Sequence, residues 1–438
     1  MSGITSPTGA TAGVVGDRMH GLATELFPIC RSITGDGVRE TLREISKRIP
    51  LELHEVPSGT QVLDWTVPDE WNIRDAYIAA PDGRRVVDFQ ASNLHVVGYS
   101  EPVRELMTLD ELRPHLQADA ANPEWIPYRT SYYARSWGFC LAQTQLEELG
   151  DGLYDVVIDS SLAAGSLTYG ECYLPGESED EVLLTTHVCH PSLANDNLSG
   201  IALLTELAAI LAATRRRLSY RLLFIPGTIG SITWLAQNEQ QLSRVLGGLV
   251  VACVGDPGPL TYKRSRRGDA VVDRAGAHVA SRQGGRVLDF VPWGWDERQF
   301  NSPGFDLGVG CLTRSPESDF AEYHSSADDL DLIRPEFLED SLQATLAILD
   351  IVEQDRAFLN LSPKGEPQLG KRGLYRGLGG ESAATDQLAQ LWVLNQSDGG
   401  STLLDIAERS GLSFDLLWLA AERLREGGLL AEIEKGTP

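Results

Sequence analysis

Short apolar runs alternate with amphipathic stretches over most of this 438-residue chain. Residues 182–184 (Val-Leu-Leu) form a compact β run that turns polar at Thr185 and Thr186. A helical pattern takes over after Gly200, with Ile201, Leu203, Leu204, Leu207, Ile210 and Leu211 on its apolar face. Further on, 220–225, 249–254 and 309–313 read as strands, and 232–242 and 334–354 as helices. Strands alternating with helices predict an α/β domain with a mostly parallel sheet covered on both faces. Before it, 17–48 carries helical spacing around Leu22, Leu26, Val38, Leu42 and Ile45, broken at 30–37 (CRSITGDG) by turn chemistry. Residues 51–56 alternate as a strand does.

The texture changes between 61 and 165. Prolines and aromatics are dense there, and strand-like pieces at 76–79, 85–89 and 94–99 are separated by turns such as Pro81-Asp82-Gly83. This is a β-rich unit inserted into the α/β domain, whose aromatics form its core or line a cleft. Residues 363–380 are rich in Gly and Lys and read as a linker. Two short helices, a longer helix at 414–426, the pair Gly427-Gly428 and a final strand make a winged-helix pattern. The expected organisation is a structureless tail at 1–16, an α/β domain from 17–60 and 166–362, an insertion at 61–165, a linker at 363–384 and a winged helix at 385–438.

Composition narrows the classes. Apolar residues at 42% and charged residues at 23% indicate a globular chain. A net charge of -25 argues against a nucleic-acid partner, which demands Lys and Arg to neutralise phosphate. The winged helix follows suit: 404–438 holds seven acidic residues against four basic ones, the wrong sign for reading DNA. A packing or homo-oligomerising role, through it or through the insertion, fits better. Six scattered cysteines without a CxxC pair read as reduced thiols of a cytoplasmic protein. No apolar stretch reaches membrane-spanning length, and the N-terminus lacks the cationic start of a secretory signal.

The chemistry gathers at strand ends. His187 and His190 follow the 182–184 run, Asp196 precedes a helix, Asp256 follows the 249–254 run, and His324 lies in Glu322-Tyr323-His324-Ser325. In open parallel sheets ligands collect at the carboxyl ends of strands. Imidazole and carboxylate there suit zinc or a similar divalent ion. Arg298 could fork onto a substrate carboxylate or sit in an internal ion pair. The basic run 263–267 is either a solvated face or an anion contact. Phosphate-loop motifs and a GxSxG elbow are absent from the sequence.

His187, then Asn195-Asp196-Asn197-Leu198-Ser199-Gly200, then Asp256, then Tyr323-His324-Ser325 with Asp328 resembles the dinuclear zinc aminopeptidases of the leucyl-aminopeptidase type. The likeness is greatest to a subgroup with an inserted domain and a C-terminal winged helix. It implies a three-layer α/β/α zinc-exopeptidase-like sandwich. It also implies one or two zinc ions, with His187, Asp196 and Asp256 on one and Asp196 with His324 on a second. Two departures stand out. Cys189 occupies the place of the acid that orients the first His. Pro226-Gly227-Thr228 occupies the place of the Glu-Glu pair that supplies the general base and a ligand. Glu297 or Glu322 would then serve as base, with Arg298, Tyr323 and His190 on the substrate, His190 being a ligand in the alternative. The activity implied is hydrolysis of an amide in a small peptide or N-acylated metabolite. A single-metal, cyclase-like biosynthetic enzyme and an inactive binding module are the alternatives.

Overall fold

The computed structural model describes residues 13–316, 319–374 and 381–433. Its strands in chain order are β1 (Glu52–Pro57), β2 (Glu70–Ala79), β3 (Arg85–Asp88), β4 (Val103–Thr108), β5 (Leu153–Ala163), β6 (Ser166–Leu174), β7 (Glu181–His187), β8 (Ser219–Ile225), β9 (Val245–Val251), β10 (Thr261–Lys263), β11 (Arg286–Leu288) and β12 (Val309–Thr313). Eight of these form one sheet in the order β1-β6-β8-β7-β9-β12-β10-β11. The middle, β8-β7-β9-β12, is parallel, while β6 joins β8 and β10 joins β12 antiparallel. Every residue of β7, β8 and β12 is buried, which is why they read as unbroken apolar runs rather than alternating ones.

Helices α1 (Val14–Leu26), α2 (Asp36–Ser46), α3 (Gly200–Ala212), α4 (Ile229–Asn238), α5 (Val271–Arg282), the single turn α6 (Glu297–Phe300) and α7 (Pro335–Gln354) complete this three-layer α/β fold. The helix α1 takes in 14–16, which the expected tail included; 1–12 lie outside the described residues. From β7 the chain crosses by α3 to β8 on one side, then by α4 to β9 on the other. The strand order therefore reverses at β7, and the crevice at its carboxyl end is the natural ligand site.

The insertion is a four-stranded antiparallel sheet, β3-β2-β5-β4. Residues 94–99, expected as a strand, instead make a short 3-10 turn and two isolated bridges. The His95 imidazole bonds the Cys140 carbonyl at 2.7 Å, and Tyr99 takes a φ of 70°, which no strand can hold. The insertion has no separate core. Trp71, Ile78, Val156 and Ile158 belong to the same apolar cluster as Leu183, Ile225, Trp234 and Phe300 of the large sheet and its helices.

The C-terminal unit, from 347 onward, has its own sheet of β13 (Ala357–Asn360), β14 (Asp398–Thr402) and β15 (Leu430–Glu432) with β13 in the middle. It adds helices α8 (Glu381–Gln396), α9 (Leu403–Ser410) and α10 (Phe414–Glu426). The strand β13 was expected in the α/β domain, and α8 starts inside the expected linker; β13 pairs with β14 and β15, so this unit begins earlier. Thr402 and Asp405 form a capping box that starts α9, and Ser413 caps α10. The six cysteines are free, and no described helix is long and apolar enough to cross a membrane.

One ion-pair cluster ties the insertion to the large sheet. Arg39 of α2 reaches Glu70 at the start of β2 (2.8 Å), Glu55 of β1 (3.0 Å) and the Ser166 hydroxyl opening β6 (3.2 Å). Arg39 is the main cause that holds the Glu70 carboxyl down to about 2. Removing one partner of a buried pair costs ~3–5 kcal/mol, and partial exposure here brings Arg39→Ala to about 2 kcal/mol. Because the folded-state value is depressed, this stabilisation is complete above the ordinary carboxyl value of 4.5 and fades as pH falls toward about 2. Urea unfolding of wild type and Arg39→Ala should show the full gap at pH 7 and a narrower one at pH 3.

Candidate metal centre

His187 is the last residue of β7 and pairs in register with Ile225 at the end of β8. The chain returns through 194–199, an irregular turn, into α3. Polar side chains hold that turn. Asn195 accepts the Gly255 N–H (3.0 Å), Asn197 accepts the Cys253 N–H (3.2 Å) and Ser199 accepts the Val254 N–H (3.0 Å). Asn197 also donates to the Thr186 hydroxyl (2.7 Å) and the His187 carbonyl (3.1 Å). The Asp328 carboxylate accepts the N–H groups of Asn195 and, at 2.9 Å, Asp196. The alternation in Asn195-Asp196-Asn197 thus has a cause: the outer residues pin the 253–255 loop and leave Asp196 free. A Cβ on Gly200 would stand 2.5 Å from Asn197 Oδ1 and 2.6 Å from the Val251 carbonyl, so only glycine fits.

Three imidazoles converge on Asp196, which is fully buried. His187 Nε2 lies 2.8 Å from Oδ1, His190 Nδ1 3.2 Å from Oδ2 and His324 Nε2 3.0 Å from Oδ2. The ligand atoms of His187, His190 and Asp196 all fall within 4.8 Å of one another. His324 has a φ of 55°, an uncommon backbone for a residue with a side chain, and it lets the loop aim its ring inward. Tyr323 stacks on that ring at 3.9 Å. Tyr128, from the insertion, stands edge-on to His190 (5.2 Å) and His324 (5.1 Å), and its N–H bonds the His324 carbonyl at 2.7 Å. A β-bridge from Pro127 to Ser325 adds to the hold.

Burial opposes ionisation of Asp196, but the His190 charge and the hydrogen bond from His187 keep it well below the usual carboxylate range. Burial also opposes a charge on His190, which Asp196 overcomes, lifting it well above normal. His187 and His324 are lowered, by burial above all. Asp196 Oδ2 and His324 Nε2 are buried close together without forming an aligned hydrogen bond. Two orphaned polar atoms aimed at one spot, among further imidazoles, fit a divalent cation with nitrogen and oxygen donors.

The other candidates have partners of their own. Asp256, expected as a ligand, does not join the cluster. Its Oδ1 accepts the Gly258 N–H (2.7 Å) and the Ser315 hydroxyl (2.6 Å), and its Oδ2 accepts Asn195 Nδ2 (3.0 Å) and the Ser315 N–H (3.2 Å). Four donors fill it, and it braces loops. Glu297, expected as a base, is fully buried in an ion pair with Lys263, since a buried carboxylate needs a counter-charge. Glu322, the other expected base, serves the His324 turn through its backbone carbonyl, which accepts the Ser325 N–H (3.1 Å) and hydroxyl (2.7 Å). Arg298 reaches the Thr228 hydroxyl (3.4 Å) beside the loop after β8, and its buried Nε has no partner. The basic run is engaged locally, Arg264 with the Gly268 carbonyl (3.1 Å) and Arg266 with Asp306 (3.1 Å).

Two residues near the cluster escaped the sequence reading. Arg31 is buried without a carboxylate and donates to the carbonyls of His190 (2.8 Å), Leu26 (2.7 Å) and Pro191 (3.2 Å), so it sets the backbone that carries His190. Burial lowers its guanidinium to about 10. Its only signal is its place in the 30–37 turn. Asp296 is buried and accepts the Ser231 hydroxyl at 2.8 Å. A Cβ on Gly227 would lie 3.3 Å from both its Oδ2 and His187 Cβ, which puts Asp296 and the first histidine beside the same glycine. Nothing in the sequence separates it from its neighbour Glu297.

Known proteins share this architecture. Residues 20–355 match the family model of a domain of unknown function, DUF4910, and 356–432 match a winged helix-turn-helix. A Clostridium acetobutylicum protein, provisionally described as a polysaccharide biosynthesis protein with an aminopeptidase-like domain, is 54% identical over 418 residues, 95% of this chain and 96% of that one. A crystal structure of a candidate peptidase from Clostridium acetobutylicum superposes with a TM-score of 0.93 at 51% identity, covering 97% of this chain and 98% of that one. The zinc aminopeptidase BSAP of Bacillus subtilis shares the fold at a TM-score of 0.56 and 13% identity, covering 76% of this chain and 94% of its own. The chain belongs to the DUF4910 family, an aminopeptidase-like fold of the zinc-aminopeptidase kind that carries a winged helix-turn-helix after it.

Proposed function

We propose that this chain is a metal-dependent hydrolase that holds one zinc or similar divalent ion and cleaves an amide in a small N-acylated metabolite. The carrying observation is the convergence of His187, His190 and His324 on the buried Asp196, with Asp196 Oδ2 and His324 Nε2 left without aligned partners. The set of three imidazoles and one carboxylate suffices for one ion, and Asp256 and the 226–228 loop offer nothing for a second. A bound zinc supplies a Lewis acid and an activated water. The chain supplies the rest. Tyr128 walls one side of the centre, and its phenol, pushed well above its usual range by burial, stays neutral and shares a hydrogen bond with the Tyr132 hydroxyl (3.0 Å).

A sugar-bearing substrate is supported by two things. The Clostridium acetobutylicum relative is described in polysaccharide biosynthesis. A groove of about 1030 Å³ runs past Ser192 and Ser326, two residues beyond His190 and His324, and is lined also by Phe27, Phe89, Asn72 and Gln90. Such a mixture of flat apolar faces and planar hydrogen-bonding groups suits a polyhydroxylated ring. The acidic winged helix acts in this reading as a packing or oligomerising module, and the free thiols fit a reducing, cytoplasmic setting.

Metal analysis by plasma mass spectrometry should find about one zinc per chain after zinc loading. Asp196→Asn and His324→Ala should each weaken zinc, in competition with a chromophoric chelator, by about 100-fold or more. Asp256→Asn should leave zinc affinity within a few fold and instead cost about 2 kcal/mol of stability, because it unpairs buried donors. Amine release from N-acetylglucosamine, N-acetylgalactosamine and aminoacyl p-nitroanilides should reveal one or more substrates, with N-acetyl sugars preferred. Activity should vanish in EDTA and return with zinc; hydrolysis that persists in metal-free protein sinks the reading.

A further inference from the structure

Amide hydrolysis moves protons twice: one leaves the attacking water and one reaches the departing nitrogen. The acids closest to the cluster are nearly all committed. Asp196 faces three imidazoles, Asp328 takes two backbone N–H groups, Asp256 takes four donors and Glu297 is paired with Lys263. Asp296 differs. Its Oδ1 accepts from Ser231, and Oδ2 accepts no hydrogen bond among the described residues. That oxygen and His187 Cβ each lie 3.3 Å from where a Cβ on Gly227 would stand, so the acid and the first histidine flank the same point beside the glycine. A side chain at 227 would occupy that point, so the glycine keeps open a space of about one water beside Asp296 Oδ2 and the root of the first histidine.

We propose that Asp296, at the start of α6, is the proton carrier of the hydrolysis, working beside Gly227 of the loop after β8. The inference rests on the hydrolytic reading above. The water oxygen bonds to the amide carbonyl carbon as one of its protons passes to Asp296 Oδ2. The C–N bond then breaks, its electron pair stays on nitrogen, and the proton moves from Asp296 to that nitrogen. Carboxylic acid and amine are released, Asp296 is a carboxylate again, and nothing is oxidised or reduced. Ser231 on α4 fixes the carboxyl group by its hydroxyl. Burial first, and Glu297 beside it, lift Asp296 to about 7, against the pull of Ser231, Arg298 and His190, which leaves it able to take and return a proton near neutrality.

Asp296→Asn, Asp296→Glu and Gly227→Ala test this in the zinc-loaded full chain. With the N-acetyl sugar or anilide that wild type cleaves, Asp296→Asn should lose about 100-fold or more in kcat, with KM, zinc affinity and melting temperature nearly unchanged. Asp296→Glu should recover part of the loss, and Gly227→Ala should lower kcat by closing the gap. Acetohydroxamate, which gives up a proton as it binds a metal, should bind Asp296→Asn at least about 10-fold more weakly than wild type by calorimetry. Equal kcat, or equal acetohydroxamate affinity where no substrate is found, overturns the role of Asp296. Wild type that binds no zinc overturns the hydrolase and this inference together.

Discussion

A single carboxylate with nowhere to discharge underlies the structure. Asp196 is buried at the end of the central strand, where an isolated negative charge is prohibitively costly. It is tolerable because imidazoles from three places in the sequence meet it. One ends β7, one sits in the loop that leaves it, and one comes from a turn more than a hundred residues later. The surrounding polar residues make sense as consequences. Asn195, Asn197, Ser199 and Asp328 do not touch the cluster's open side; they tie down the backbone so that one side chain can be left without a conventional partner.

The large sheet was legible because its middle strands are buried on both faces, so 182–184, 220–225 and 309–313 stand out as apolar runs. The ends of elements were not. The β13 strand is short and pairs only within the C-terminal unit, so no local pattern assigns it there. In the centre, the position of His187, Asp196 and His324 at strand ends and turns pointed to one place. The same logic misled for Asp256, because a strand-end acid that binds metal and one that braces a loop look alike until its donors, Asn195, Gly258 and Ser315, are in view. Glu297 and Asp296 are adjacent, and only the folded chain decides which is neutralised by Lys263 and which faces Gly227.

Charge handling repeats across the α/β unit. Arg221 of β8 is buried against Glu181 (2.7 Å) and Glu171, while the half-buried Arg39 pairs with Glu70 and Glu55 and the half-buried Lys263 with Glu297. A buried acid needs either a cation close by, as here, or a set of neutral donors, as at Asp256 and Asp328. Arg31 inverts the pattern: a buried cation held by three carbonyls, one of them that of His190, and by the Thr41 hydroxyl. Its lowered guanidinium records the cost of that placement, which is borne where the loop geometry matters most.

Tyr128 donates its backbone N–H to His324, and Pro127 bridges Ser325, so the insertion holds one wall of the cluster in place. It is therefore no detachable ornament on an older scaffold. A descendant that shed those residues would unseat the third imidazole in the same event, and one that reshaped them would retune it. Inheritance must treat the inserted sheet and the histidine turn as a single trait.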